Sequence, residues 1–182
     1  NIGKSWTVKA GIDGFVTLLE NKIISAPSEA DPNIWQPYNV GKSRSTGVDA
    51  TAGFAHKGDW EYSVDAKYSF QSSVDLTPDS FTYGEQLPYV SRHALVLNGT
   101  VSFKGWSFNP VWNLRSGRSD AIGEMPDWST LDVTFSKSMP VREVGILMLR
   151  ISVRNITDTR YESVRGYPMP GRSITGGIDF KF

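Results

Sequence analysis

The sequence predicts an all-β fold, a transmembrane antiparallel up-and-down β-barrel, and three observations predict it. Apolar and polar residues alternate with period two along most of the chain. The connections between the alternating segments are long and short in turn, as in barrels with tight turns on one side of a membrane and larger loops on the other. Aromatic residues gather at segment ends (Trp6, Trp60, Trp106, Trp128, Phe182), where interfacial girdles are expected.

Eight strands are expected, near 5–25, 35–57, 59–73, 91–104, 106–117, 127–138, 144–156 and 172–182. The first two are long and turn polar at Glu20-Asn21-Lys22 and at Lys42 to Thr46, so they would project beyond a bilayer into water. The third is the cleanest zigzag: Trp60, Tyr62, Val64, Ala66, Tyr68 and Phe70 share one face, and Glu61, Ser63, Asp65, Lys67, Ser69 and Gln71 the other. Trp106, Phe108, Pro110, Trp112 and Leu114 repeat the pattern. So do Leu131, Val133 and Phe135, then Leu147, Leu149, Ile151 and Val153, and last Ile174, Gly176, Ile178, Phe180 and Phe182. Helix is disfavoured, because Pro, Gly and β-branched residues punctuate nearly every window.

Short connections fall at 57–59, 104–105 and 139–143, and long ones at 26–34, 74–90, 118–126 and 157–171. Tight turns belong to the periplasmic side of such barrels, which puts both chain ends there.

Composition excludes other classes. Charge is balanced, 19 Lys plus Arg against 19 Asp plus Glu, so nucleic acid is not an expected partner. With no cysteine, disulfides and thiolate metal sites are ruled out. His56 and His93 lack a ligand cluster, so no metal site is expected. No window has the ~18 apolar residues of a membrane helix, and the run Val144 to Val153 is broken by Arg150. Nothing reads as a signal peptide, and the chain is expected to begin partway through a longer protein.

Alternation alone fits two arrangements. A soluble sandwich turns the apolar rows inward, whereas a membrane barrel turns them toward lipid. Charges within the polar rows, at Asp65, Lys67, Arg150 and Arg154, favour a wet barrel interior, with cross-strand pairing to acidic neighbours expected for Arg150 and Arg154.

The closing segment carries a motif. Asn155-Ile156-Thr157-Asp158, Tyr161-Glu162 and Gly166-Tyr167-Pro168-Met169-Pro170-Gly171-Arg172, followed by a last strand ending in Phe182, resemble the C-terminal signature of TonB-dependent outer-membrane receptors. Asn39-Val40-Gly41-Lys42 with Gly47-Val48-Asp49 is similar to a further stretch of that family. Leu87 to His93 is similar to its Leu-Pro-x-x-Pro-x-His segment, with Ser91 at the second Pro. The resemblance implies that 1–182 is the C-terminal segment of a larger barrel, without the plug domain. It also implies active transport of a scarce nutrient of the iron-siderophore, haem or cobalamin class across the outer membrane of a Gram-negative bacterium. The implied partners are outer-membrane lipid, the energy-coupling TonB protein acting through the absent N-terminal region, a small-molecule nutrient and the barrel-assembly machinery. Phe182 would be the assembly signal. No cofactor is implied.

Candidate substrate contacts lie in the long connections: Trp35, Tyr38, Phe81, Tyr83, Arg118, Asp120, Tyr161 and Arg165. A bland role as solvated or interfacial side chains is the competing expectation for each. Ser91 with His93 does not make a catalytic set, because no third group is identifiable, and no enzyme activity is expected. The sequons at Asn98 and Asn155 fall in or beside strands and carry no argument. The alternatives are a self-contained eight-stranded outer-membrane barrel acting as adhesin, anchor or enzyme, and a soluble β-sandwich.

Overall fold

The computed structural model describes residues 5–28, 31, 33–142 and 144–182. Twelve strands follow in order: β1 Ser5–Pro27, β2 Trp35–Lys57, β3 Trp60–Asp75, β4 His93–Phe103, β5 Trp106–Ser116, β6 Arg118–Asp120, β7 Gly123–Met125, β8 Trp128–Val141, β9 Gly145–Arg154, β10 Glu162–Val164, β11 Tyr167–Pro168 and β12 Ser173–Lys181. Eight form one sheet in the order β1-β2-β3-β4-β5-β8-β9-β12, every neighbouring pair antiparallel. These are the eight segments read from the alternation, with ends shifted by a few residues. No helix occurs among the described residues.

Register keeps the rows together. Trp6 pairs with His56, and His56 with Tyr62. Tyr68 pairs with Leu95, Leu95 with Leu114, and Leu97 with Trp112. Phe108 pairs with Phe135, Phe135 with Ile151, and Ile151 with Gly176. Side chains of directly opposed residues lie on the same face, so the apolar rows of all eight strands merge into one continuous surface. That surface is open: Val8, Ile12 and Ile178 are about three-quarters exposed, and the only buried hydrophobic residues described, Leu87 and Met125, lie outside the large sheet. A soluble sandwich would bury these rows between two sheets. Among the described residues no second layer lies over them.

The opposite face is held by hydroxyls and amides. Ser45 and Ser73 hydroxyls lie 2.7 Å apart, and Gln71 Nε2 donates to Ser73 Oγ at 2.8 Å. Asn109 Nδ2 donates to Thr100 Oγ1 at 2.9 Å, while Thr134 and Ser152 hydroxyls are 3.0 Å apart. Arg150 reaches Asp179 across the β9–β12 ladder at 3.4 Å, the cross-strand pairing expected of it. Pro110, inside β5, has no N–H to give, and the β4–β5 pairing lapses between Asn98–Val111 and Val101–Phe108. The Asn109–Thr100 side-chain bond spans that gap.

All long connections leave one end of the sheet, and the two-to-three-residue turns leave the other. The 9 residues of β12 and 10 of β9 match the 9–11 that a tilted membrane strand needs. At 23 residues each, β1 and β2 extend far past that length, and only their first ladder continues above Ser43, where β3 ends against β2 at Asp75. β1 and β12 do not pair with each other among the described residues, so the eight strands do not close into a barrel of their own.

Three details differ from the sequence reading. The connections at 118–126 and 157–171 contain hairpins, β6–β7 and β10–β11. The turn expected at 139–143 is shorter, because Met139 and Val141 continue the alternation opposite Leu147 and Gly145. Trp128 is not a girdle residue: it shares the polar face with Thr130 and Asp132 and packs, tilted, on Tyr161 with ring centroids 4.3 Å apart.

The face assignment yields a mutational test. Leu149→Arg on the apolar row is expected to weaken folding into lipid vesicles by about 2–4 kcal/mol, as for a cation near a bilayer midplane. Thr175→Arg on the opposite row is expected to be near neutral. Equal cost in a refolding titration would reverse the assignment.

Candidate functional site

Four connections meet above the sheet. The β9–β12 connection starts at Asn155, which is 5 % exposed and left-handed, with φ 48°. Asparagine tolerates that conformation better than most residues. Its side chain replaces backbone pairing: Nδ2 donates to Thr159 O (2.9 Å) and Oδ1 accepts from Thr159 N (3.0 Å). Asp158 accepts from the Arg172 amide at 2.8 Å, so the fourth and last residues of the motif close the loop. Gly171 is required there for space and not for turn geometry. A Cβ on it would stand 2.8 Å from Asp158 Oδ1, and its φ is not positive.

Arg118 joins this loop to the β5–β8 connection. Its side chain is nearly buried, with Nη1 donating to the carbonyls of Glu162 and Ser163, both at 3.1 Å, and Nη2 to Pro126 O at 3.0 Å. The guanidinium carbon lies 5.9 Å over the Trp128 ring. Burial pulls the Arg118 pKa down and Asp127 opposes it. A second tie runs between the two hairpin tips: Arg165 Nε and Nη2 donate to Asp120 at 2.5 and 3.1 Å, and Nη2 also donates to Glu124 O. The Asp120 side chain is only 3 % exposed. Burial would raise its pKa, but the Arg165 bond and the Ile122 and Gly123 amides outweigh it and hold the carboxyl below its ordinary value.

Tyr89 brings in the β3–β4 connection. Its amide donates to Ser119 O at 2.8 Å, and its ring stacks on Trp35 at 6.0 Å. Burial, with Asp120 nearby, raises the Tyr89 phenol pKa. Trp35, at the foot of the β1–β2 tip, also meets Tyr167 edge-on at 6.4 Å. Trp35, Ser163, Val164, Tyr167 and Met169 line an open cavity of about 290 Å³.

Of the eight candidate contacts, Trp35, Arg118, Asp120 and Arg165 therefore belong to one cluster, and Tyr161 packs at its base on Trp128. Arg118, Asp120 and Arg165 spend their hydrogen bonds on protein groups there. Phe81 and Tyr83 stand apart, well exposed on the β3–β4 connection. The Tyr38 side chain lies outside those described. Sequence reasoning missed Tyr89, Tyr167, Met169 and a second organising group, Asp75. That carboxylate is 3 % exposed and accepts from Thr77 N, Ser80 Oγ and Thr82 Oγ1 at 2.6–2.8 Å, shaping the loop that carries Phe81. His93 is part of the apolar face, with Nδ1 2.8 Å from the Tyr68 hydroxyl, and no described group of three His, Cys, Asp or Glu could hold a metal.

A family model described as "TonB dependent receptor-like, beta-barrel" matches residues 3–156. The chain belongs to that family. Among solved structures, this TonB-dependent receptor chain is similar to the copper transporter OprC, with TM-score 0.69 and 18 % identity over 96 % of this chain and 29 % of that one. It is also similar to the ferric citrate transporter FecA in its unliganded form, with TM-score 0.67 and 20 % identity over 93 % of this chain and 27 % of the other. At such identity the likeness carries the fold. The receptor chain spans under a third of the length of either structure.

Two outcomes test the cluster. Arg118→Met removes three donors to loop carbonyls and is expected to cost about 2–3 kcal/mol locally. Amide exchange should then rise in 118–125 and 161–169 together while the large sheet is unchanged. Loosening of only one segment would show that Arg118 does not couple them. The second outcome concerns pH. Asp120 has a folded pKa below its unfolded one, so its stabilisation is complete above the ordinary 3.8 and lost as pH falls through the lowered value. Protection of the Ile122 and Gly123 amides, corrected for intrinsic exchange, should hold from neutral pH to about pH 4 and collapse only below it.

Proposed function

We propose that this chain forms wall and extracellular mouth of a TonB-dependent active transporter in the outer membrane of a Gram-negative bacterium. The continuous exposed apolar face carries this reading, because only a lipid environment makes such a surface stable, and a barrel is one of the two structures that span lipid. In this reading the apolar face meets hydrocarbon, the polar face lines the lumen, and the short turns lie in the periplasm. Outer-membrane lipid, the energy-coupling TonB protein and the barrel-assembly machinery are its partners, with Phe182, which is almost fully exposed, as assembly signal.

The cargo is a scarce, small-molecule nutrient of the iron-siderophore, haem or cobalamin class. An aromatic-lined cavity at the loop cluster suits a ligand with flat apolar surface, for which ring contacts supply affinity. The cargoes named for the two similar structures, copper and ferric citrate, keep metal-bearing solutes within this reading. Trp35, Tyr38, Phe81, Tyr83, Arg118, Asp120, Tyr161 and Arg165 divide into two roles here. Trp35 meets the solute, Phe81 and Tyr83 are further contacts on the β3–β4 connection, and Tyr38, a residue of β2 near the same tip, is a further candidate contact. Arg118, Asp120, Arg165 and Tyr161 hold the loops in shape.

Uptake of a labelled ferric siderophore, haem or cobalamin by cells carrying the full-length protein tests this. Trp35→Ala with Tyr167→Ala is expected to weaken apparent affinity roughly tenfold, the loss of a central aromatic contact, with membrane insertion unchanged. Unaltered uptake of whichever substrate the parent imports would remove the cavity from the transport path.

A further inference from the structure

Charge also gathers on the short-turn rim, at the end of the sheet opposite the loop cluster. There β4 and β5 join through Lys104 and Gly105, with φ of 46° and 78°, as a two-residue primed hairpin turn requires. The strands flanking the turn pair Phe103 with Trp106. Lys104 Nζ lies 5.1 Å over the Phe103 ring, and Lys137 Nζ 4.7 Å over the Trp106 ring. Lys137 belongs by register to the apolar row, opposite Trp106 and Leu149. Its stem carries the ammonium out to the rim, where it donates to Lys104 O at 2.7 Å.

Two ammonium groups thus meet at one hairpin, and neither forms an ion pair with a carboxylate among the described residues. Lys57, Arg142 and Lys181 add positive charge along the same rim, against Asp59 and Glu61 at the β2–β3 turn and, in the sequence, Glu143 after Arg142, so the lysine hairpin is the part of the rim without a neighbouring carboxylate in its own turn. From the hairpin toward the other rim the surface continues apolar and exposed through Val101, Phe108 and Phe135. Cations above an apolar strip match a phosphate above acyl chains. A zwitterionic headgroup would bring its own cation against the two lysines, which favours one with net negative charge.

We propose that Lys104 and Lys137, at the Lys104–Gly105 hairpin, bind the phosphate of an anionic phospholipid whose acyl chains lie over Val101, Phe108 and Phe135. The inference rests on the orientation given under Proposed function, with short turns at the inner leaflet. Each lysine near an anionic surface contributes modestly, and the two together correspond to roughly a thirtyfold preference over a neutral lipid.

The test uses the full-length protein in nanodiscs of phosphatidylglycerol mixed with phosphatidylcholine, with retained lipids counted by native mass spectrometry. Wild type is expected to retain phosphatidylglycerol well above its bulk fraction. Lys104→Asn, which keeps a residue tolerant of the left-handed turn, combined with Lys137→Gln should abolish that enrichment. Lys181→Gln, on the polar row of the same rim, should leave it intact. A wild-type lipid count equal to the bulk composition overturns the proposal, whatever the variants do. So does an equal loss in Lys181→Gln, which would assign the preference to the rim's general charge. Displacement of the retained lipid by millimolar inorganic phosphate would assign the site to free phosphate instead. Failure of the wild type to insert at all would overturn the membrane orientation, and this site with it, whereas insertion without selectivity overturns this site alone.

Discussion

Parity of register is the constraint on which the rest of the molecule depends. Side chains alternate faces along a strand, so slipping any one of the seven ladders by a residue would turn a whole neighbour inside out. None of them slips: the row that begins at Trp6 on β1 is still on the same side at Phe180 on β12. The energetic preference is cumulative. Each strand places several large apolar groups on one side and hydroxyls, amides and charges on the other, so correct pairing of one ladder biases the next. The polar row adds direction through Ser45–Ser73, Asn109–Thr100 and Thr134–Ser152, bonds that form only in the observed register.

The loop cluster uses a different principle. Its hydrophobic core is small, Leu87 and Met125 with a few ring contacts, and much of its order comes from charged and amide groups that replace missing backbone partners. Arg118 satisfies three carbonyls, Asp120 caps two amides while holding Arg165, and Asn155 and Asp158 stitch the ends of one connection together. Such a network is specific in geometry and modest in energy. That suits a surface meant to hold its shape while staying in water, and it explains why so few of the candidate charges remain free for a solute.

Strand existence, order and faces were legible in the sequence because each strand of the large sheet has one apolar and one polar face and must therefore alternate. The long β2 and the short β12 were both readable on that basis. The hairpins at 118–125 and 162–168 were not, because their strands are only two or three residues long and carry no apolar row, so neither shows a zigzag. Trp128 was misplaced for a related reason: a tryptophan at a strand end fits a girdle, and only its parity with Thr130 and Asp132 puts it on the other face. Trp35, Arg118, Asp120 and Arg165 were readable as loop residues of interest, but not as neighbours, since Arg118 meets residues 44 and 45 positions away. Tyr89 sat inside the Leu87–His93 motif and read as part of a strand entry, which hid its stacking on Trp35.

The unequal strand lengths have a mechanical consequence. Above Ser43 the β1–β2 hairpin stands as a two-stranded ribbon, a form only marginally stable by itself. Its tip leans on the loops through the rings of Tyr89 and Tyr167, contacts that together amount to about 1–3 kcal/mol. Bending this ribbon outward would part the Trp35 ring from Tyr89 and Tyr167 and unroof the compartment behind it, while the ladders from β3 to β12 stayed paired.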